Sequence, residues 1–224
     1  MIKNILVDID DTLLDFDKCA EESMRNAMAD AGISYREGMM DIFHPIYNGF
    51  WKRVEQGTLT VPELYKIRWN TVFAAMGVDY DGEAFEKRFL DYLQYSAVPV
   101  DGAIELLEYL HGKYKLYVAS NAVEEQQIKR LTKAGMLQFF GGLYVSEAPG
   151  VSKPHKEFFD LCLQDMNALP EETAIIGDSL SSDMKGGADS GLFTCWVNLK
   201  GKEVPENIHI DVTVKNLYEL KSML

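Results

Sequence analysis

The sequence predicts an α/β fold in which a parallel sheet flanked by helices is interrupted by an all-helical insertion. Three observations lead to this prediction. Short β-branched and aliphatic runs alternate with helical patterns at the N-terminus and after residue 97, as is typical of a parallel α/β sheet. Between them, residues 15–96 contain amphipathic stretches at helical spacing and no convincing strand. With 224 residues, 47% of them hydrophobic, the chain can bury the cores of one large or two modest domains.

The first predicted strand lies near residues 4–8, because the apolar run Ile5-Leu6-Val7 is bounded by polar residues. The insertion follows at 15–96. Its helices are indicated by apolar side chains three or four positions apart, which lie on one face of a helix. The three clearest stripes are Phe43, Tyr47, Phe50 and Val54; Trp69, Val72, Phe73 and Met76; and Phe85, Phe89, Tyr92 and Leu93.

The elements after the insertion alternate between helix and strand. Strands are predicted near residues 115–119, 143–146, 173–177 and 193–197. Helical spacing is clearest in Ala103, Leu106, Leu107 and Leu110, and in Phe158, Phe159, Cys162 and Leu163. The predicted organisation is therefore a core of residues 1–14 and 97–224 around an inserted helical domain of residues 15–96.

Two carboxylates, Asp8 and Asp10, follow the first strand at alternate positions. Successive strand side chains point to opposite faces, so these two project to the same side if the extended conformation continues. Like charges this close raise one pKa strongly unless a cation intervenes, which leaves a shared proton or a bound metal. Hard oxygen ligands favour Mg²⁺.

Polar residues also end the later predicted strands. Asp178 follows residues 173–177, and Ser120-Asn121 follows residues 115–119 just before a helix start, where a phosphate would bind. Lys153 comes shortly after the strand near 143–146, and its ammonium could screen both a phosphate and the carboxylates. Ligands of open α/β sheets bind outside the carboxyl ends of the strands, so these pieces together predict one anion-plus-metal site.

These residues form a complete four-motif signature through which the chain resembles the haloacid dehalogenase superfamily of phosphohydrolases. A single D-x-D-x-T string occurs often by chance, whereas four motifs in order, each after a predicted strand, do not. The resemblance fits a Rossmann-like parallel sheet core flanked by helices, with an inserted all-helical cap domain. The motifs are Asp8-Ile9-Asp10-Asp11-Thr12, Ser120-Asn121, Lys153-Pro154 and Gly177-Asp178-Ser179 to Asp183.

The resemblance implies catalysis through a covalent intermediate. Asp8 would attack phosphorus to form an aspartyl phosphate, and Asp10 would protonate the leaving alkoxide and then activate water. Ser120 and the backbone of Asn121 would bind the phosphoryl oxygens, while Lys153 would neutralise charge on Asp8 and on the transition state. True dehalogenases of the superfamily lack the second acid, so Asp10 favours phosphate ester hydrolysis.

The resemblance also implies a metal and a lid. Mg²⁺ would be held by the Asp8 carboxylate, the Asp10 backbone carbonyl and Asp178, with Asp183 as a further ligand or as an anchor of the ligands. The helical cap would exclude water and choose among small substrates. Six cap residues either contact a substrate base or belong to the core of the cap: Phe16, Tyr47, Trp51, Arg53, Arg68 and Trp69.

One branch of the superfamily, the bacterial pyrimidine nucleoside 5′-monophosphate phosphatases, is similar over nearly the whole chain. The expected substrate is therefore a small phosphate ester, a nucleoside monophosphate. The alternatives are a capped phosphatase or phosphomutase acting on a sugar phosphate or phosphoglycolate, and a non-catalytic binding protein. The residues behind this similarity are Asp10-Asp11-Thr12-Leu13, Trp51, Gly57-Thr58-Leu59, Val145-Ser146-Glu147, Gly150-Val151-Ser152-Lys153-Pro154 and Thr194-Cys195-Trp196-Val197-Asn198.

Composition excludes several other classes of function. A net charge of −13 argues against binding polymeric nucleic acid through a basic surface. No apolar run reaches the roughly 18 residues that span a bilayer, so we expect no membrane association and a cytoplasmic protein. The three cysteines are widely spaced and support neither a disulfide framework nor a zinc site. A monomer or weak homodimer is expected.

Overall fold

The computed structural model describes residues 1–146, 151–204 and 206–224. Glu147 and Gly150, two of the residues behind the branch resemblance, lie outside the described residues. The chain divides into two compact units, Met1–Phe16 with Ala97–Leu224, and Asp17–Ser96. Within the described part of the chain, no helix combines the length and the apolar character needed to cross a membrane.

Along the chain, one strand is followed by four helices and then by alternating helices and strands. They are β1 (Asn4–Val7), α1 (Phe16–Asp30), α2 (Met39–Glu55), α3 (Val61–Met76), α4 (Gly82–Leu93), α5 (Ala103–His111), β2 (Lys115–Ser120), α6 (Glu124–Lys133), β3 (Gly142–Val145), α7 (Lys156–Met166), β4 (Thr173–Gly177), α8 (Lys185–Asp189), β5 (Phe193–Val197) and β6 (Val212–Val214).

In the described part of the chain, six parallel strands form one sheet in the order β3-β2-β1-β4-β5-β6. The predicted α/β fold class is thereby confirmed. β1 pairs with β2 on one side and with β4 on the other, so it lies near the middle of the sheet. β6 was not predicted, because it is an edge strand of three residues, too short to give a clear pattern.

Packed side chains cover both faces of the sheet at β1, and every residue of this strand is therefore buried. Ile5 and Val7 point into one core cluster, which includes the buried face of α5. Leu6, between them, points into the other, where the buried face of α7 packs. This alternation explains why β1 reads as a continuous apolar run rather than as an alternating one.

The helical unit contains a core of aromatic side chains around Trp69, which is fully buried. Arg68 beside it is also buried and forms an ion pair with Glu86. The sequence left open whether Trp69 and Arg68 contact a substrate base or belong to a core of the helical unit, and the structure supports the core position for both. The rings whose centroids lie 4.5–5.4 Å from that of Trp69 are Phe43, Phe73, Phe85 and Phe89.

Candidate active site

The carboxyl ends of three neighbouring strands, β2, β1 and β4, lie side by side at one edge of the sheet. Asp8 directly follows β1, and its backbone N–H donates to the carbonyl oxygen of Ile176 in β4 at 2.9 Å. Ser120 is the last residue of β2, and Asp178 directly follows β4. Parallel pairing thus gathers residues from distant parts of the sequence at the edge where α/β sheets bind ligands.

Lys153 lies buried among acceptors from three segments. Its Nζ donates to Asp8 Oδ1 at 2.7 Å, to Asp183 Oδ1 at 2.6 Å and to the carbonyl oxygen of Ala119 at 2.6 Å. Burial opposes its positive charge, but Asp183 and Asp8 outweigh burial and raise the pKa of Lys153 above its usual value. The side chain is therefore a permanent ammonium that bridges two carboxylates.

Asn121 fixes the backbone that carries this lysine. Its Nδ2 donates to the carbonyl oxygen of Lys153 at 2.9 Å, and its Oδ1 accepts from the Lys153 backbone N–H at 2.9 Å. The neighbouring Ser120 hydroxyl oxygen accepts from the Ala122 backbone N–H at 3.2 Å. The side chain of Asn121 thus has a positioning contact that the sequence did not reveal, in addition to the backbone role predicted for it.

Three carboxylates form a cluster at these strand ends: Asp8, Asp178 and Asp183 each offer an oxygen, and these oxygens lie within 4.8 Å of one another. Burial raises the pKa of Asp8 to about 7, although Lys153 opposes the shift. Burial, Asp8 and Asp183 likewise raise the pKa of Asp178 well above its usual value. These three hard oxygen donors suit a divalent metal, because its positive charge would offset the repulsion among the crowded carboxylates.

Asp183 reaches this cluster from a turn of π-helix, Leu180–Met184. The turn is capped by Ser179, whose side chain accepts from the Ser182 backbone N–H, while the Ser179 backbone N–H donates to Asp183 Oδ2 at 3.1 Å. Gly177 lets this carboxylate approach the end of β4, since a Cβ there would lie 2.2 Å from Asp183 Oδ2. Any side chain at position 177 would therefore displace the Asp183 carboxylate.

The Asp10 carboxylate has different partners from that of Asp8. Its Oδ1 accepts from Arg130 Nη1 at 2.6 Å and its Oδ2 from Gln127 Nε2 at 2.9 Å. Among the neighbouring carboxylates, Asp183 raises the pKa of Asp8 more than Asp10 does. The crowding expected between Asp8 and Asp10 therefore falls mainly between Asp8 and Asp183.

Gln127 and Arg130 were missed by the sequence analysis. They lie on α6, whose sequence Glu124–Lys133 is mostly charged and polar and resembles a solvated helix. Both side chains are nevertheless fully buried. The one available signal was their spacing of three residues, which places two side chains on one helix face.

Replacing Asp178 by Asn should stabilise the metal-free protein at pH 8, by about 2–4 °C in melting temperature, or roughly 1 kcal/mol at this chain length. Folding raises the pKa values of Asp178 and Asp8, so the folded state binds more protons than the unfolded state. The stability of the protein should therefore fall as the pH rises from about 4, the pKa of an unfolded Asp, through the pKa of the folded state, which is about 7 for Asp8. The Asn variant should show a shallower fall.

Thermal melts at pH 6 and pH 8, with Mg²⁺ or EDTA, measure this effect. Mg²⁺ should raise the wild-type melting temperature more at pH 8 than at pH 6, because binding must displace protons, and the increase should shrink in Asp178→Asn. The control is Asp189→Asn, which removes an exposed carboxylate paired with Lys185 and should change little. A destabilised, fully Mg²⁺-responsive Asp178→Asn would contradict the prediction.

A family model described as haloacid dehalogenase-like hydrolase matches residues 2–191 of the chain. The chain is 34% identical over 224 residues to YfnB of Bacillus subtilis strain 168, covering 99% of this chain and 95% of that protein. A crystal structure of YfnB bound to magnesium superposes with a TM-score of 0.94 at 33% identity, covering 100% of this chain and 98% of that one.

Two further relatives have named activities. The pyrimidine 5′-nucleotidase PynA of Streptococcus pneumoniae strain ATCC BAA-255 / R6 is 29% identical over 222 residues, with 98% of this chain and 91% of PynA covered. The glyceraldehyde 3-phosphate phosphatase of Methanocaldococcus jannaschii is 30% identical over 230 residues, with 98% and 96% covered. Both act on small phosphate esters by name.

Proposed function

The chain belongs to the haloacid dehalogenase-like hydrolase family, and on that premise we propose that it is a Mg²⁺-dependent phosphohydrolase of nucleoside 5′-monophosphates. The observation that carries this proposal is the buried Asp8, held 2.7 Å from the Lys153 ammonium at the end of β1. A carboxylate fixed at a strand end beside a permanent cation is well placed to attack an anionic phosphate. Asp10, two residues on, supplies the acid that an ester leaving group needs.

In the proposed reaction an Asp8 oxygen attacks phosphorus, and the ester oxygen leaves with a proton from Asp10. Asp10 then takes a proton from the water that hydrolyses the aspartyl phosphate. Ser120 and the Asn121 backbone N–H donate to the phosphoryl oxygens, and Lys153 neutralises the charge that Asp8 and the phosphoryl group share.

The proposed metal ligands are the carboxylates of Asp8, Asp178 and Asp183 with the backbone carbonyl of Asp10. When bound there, Mg²⁺ supplies the positive charge that lets an anionic nucleophile approach an anionic phosphate. We also propose that the helical unit Asp17–Ser96 serves as the cap domain and contributes to the choice of substrate. Cytoplasmic location and a monomeric or weakly dimeric state stay predictions from the sequence.

Nucleotides are proposed as substrates because PynA matches 98% of the chain. The second candidate substrate class is a small sugar phosphate, which the similarity to the glyceraldehyde 3-phosphate phosphatase supports. The two classes share the chemistry at Asp8 and differ in the group attached to the phosphate, so the site at the sheet edge does not distinguish them.

Phosphate release from a panel of substrates tests the proposal. The panel contains UMP, dTMP, AMP, glyceraldehyde 3-phosphate, glucose 6-phosphate and phosphoglycolate, each with Mg²⁺ or with EDTA. We expect Mg²⁺-dependent release that is fastest with the pyrimidine monophosphates. Release from sugar phosphates alone would overturn the nucleotidase proposal and leave the mechanism standing, whereas release that persists in EDTA would overturn the metal assignment.

A further inference from the structure

The proposed acid and base, Asp10, is held by two buried side chains of α6. We propose that Gln127 and Arg130 are positioning residues that fix the Asp10 carboxylate relative to the phosphoryl-binding hydroxyl of Ser120, so that proton transfer to the leaving group is efficient. This inference rests on the proposed function, because it assigns a role to residues that act through Asp10.

The four side chains form one connected hydrogen-bonded network. Arg130 Nη1 donates to Asp10 Oδ1 at 2.6 Å and to Gln127 Oε1 at 3.1 Å. Gln127 Nε2 donates to Asp10 Oδ2 at 2.9 Å and to Ser120 Oγ at 3.1 Å. Each carboxylate oxygen therefore has its own donor, so rotation of the carboxylate would break at least one of these bonds.

The burial of these residues is difficult to explain by stability alone. Gln127 and Arg130 are fully buried, whereas the Asp10 side chain is still 29% exposed. Taking a guanidinium out of water is costly, and well-packed apolar residues often serve stability equally well at such sites. Two buried donors, one on each oxygen of a partly exposed acid, are instead what orienting that acid requires, because hydrogen bonds to both oxygens fix the plane of the carboxylate.

The chain connectivity suits this role. α6 begins at Glu124, only three residues after Asn121, so the same segment carries the phosphoryl-binding residues and the two residues that hold Asp10. Gln127 contacts the hydroxyl of Ser120 and the carboxylate of Asp10 with a single nitrogen. It thereby sets the distance between the group that would bind the phosphate and the group that would protonate its ester oxygen. Misplacement by about 1 Å can cost on the order of 10²-fold in rate.

The test compares two leaving groups. The alkoxide of UMP must receive a proton as the P–O bond breaks, whereas the nitrophenolate of p-nitrophenyl phosphate leaves as a stable anion. In Gln127→Leu and Arg130→Met, we expect kcat/KM for UMP to fall about 10- to 100-fold, because misplacing the acid should cost part of the roughly 10²- to 10⁴-fold that general acid catalysis contributes. We expect the value for p-nitrophenyl phosphate to fall much less, and Arg130→Lys to restore part of the loss.

Matched variants separate this role from a structural one. Lys129→Met alters a cation on the same helix, paired there with Glu125, and should leave both rates unchanged. Equal losses for the two leaving groups, or no loss, would overturn the positioning role. If Arg130→Met does not fold, Gln127→Leu decides the question, since it keeps the ion pair of Arg130 with Asp10.

Asp10→Asn distinguishes failure of this inference from failure of the proposed function. This variant should show the largest difference between the two leaving groups. If it shows no difference, the proposed role of Asp10 is wrong and the positioning role falls with it. If Asp10→Asn shows the difference and the α6 variants do not, the proposed function stands and the inference alone is overturned.

Discussion

Asp8→Asn should abolish phosphate release, with a loss of roughly 10⁴-fold or more, as is typical when a covalent nucleophile is removed. An amide does not attack phosphorus, and the change also removes one of the two carboxylates that Lys153 Nζ contacts. The measurement is steady-state phosphate release with Mg²⁺ and the best substrate of the panel. Acid-quenched protein should carry a phosphoryl group in the wild type and none in the variant.

Asp11→Asn is the matched control for this change, because it makes the same chemical substitution three residues away. Asp11 adopts φ 60°, a left-handed conformation that Asn tolerates, and its Oδ1 accepts from the Phe16 backbone N–H at 3.1 Å. Asn keeps that acceptor, so turnover should stay close to wild type. Comparable turnover in Asp8→Asn and Asp11→Asn would show that Asp8 is not the nucleophile.

The parallel core could be predicted because its central strands, β1 and β4, are buried at every residue. A strand covered on both faces is a continuous apolar run, and turn or polar residues mark where it ends. The predicted strands near 173–177 and 193–197 coincide with β4 and β5 for this reason. β6 escaped prediction because Val212–Val214 is short, lies at the edge and exposes its middle residue.

The sequence could predict the candidate site residues that lie at the ends of strands. Asp8, Ser120 and Asp178 directly follow or end apolar runs, and parallel pairing then brings them together. The contact of Lys153 with Asp8 was expected, but its second contact, with Asp183, could not be predicted, because the three residues are brought together from positions 145 and 30 residues apart. Side-chain direction at such distances is set by the tertiary fold.

The residues of α6 show a different limit of prediction from sequence. The segment Glu124–Lys133 contains few apolar side chains, so periodicity indicates a helix with a largely solvated surface. Gln127 and Arg130 are buried because their partners, Asp10 and Ser120, are polar, and a hydrophobic pattern does not record that kind of burial. Polar networks at functional sites depart from local sequence rules more often than cores do.

Lys153→Met should destabilise the protein by about 3–5 kcal/mol at pH 8, the usual cost of removing one partner from a buried ion pair. Two buried carboxylates, those of Asp8 and Asp183, would lose the ammonium that now lies 2.7 and 2.6 Å from them. Activity should also fall roughly 10²-fold or more, since the cation that neutralises the phosphoryl charge is gone. Denaturant unfolding of the metal-free protein measures the first effect, and phosphate release measures the second.

The pH dependence of this penalty identifies its cause. Burial raises the pKa of Asp8 to about 7 even with Lys153 present, so at pH 5.5 this carboxyl is mostly neutral and needs no cation. The penalty should therefore be smaller at pH 5.5 than at pH 8. Lys156→Met, which breaks an exposed ion pair with Asp160, should cost less than about 1 kcal/mol at both pH values. A pH-independent penalty in Lys153→Met would mean that lost packing, rather than uncompensated charge, is the cause, and Lys153 would then not be the group that holds Asp8 ionised for attack.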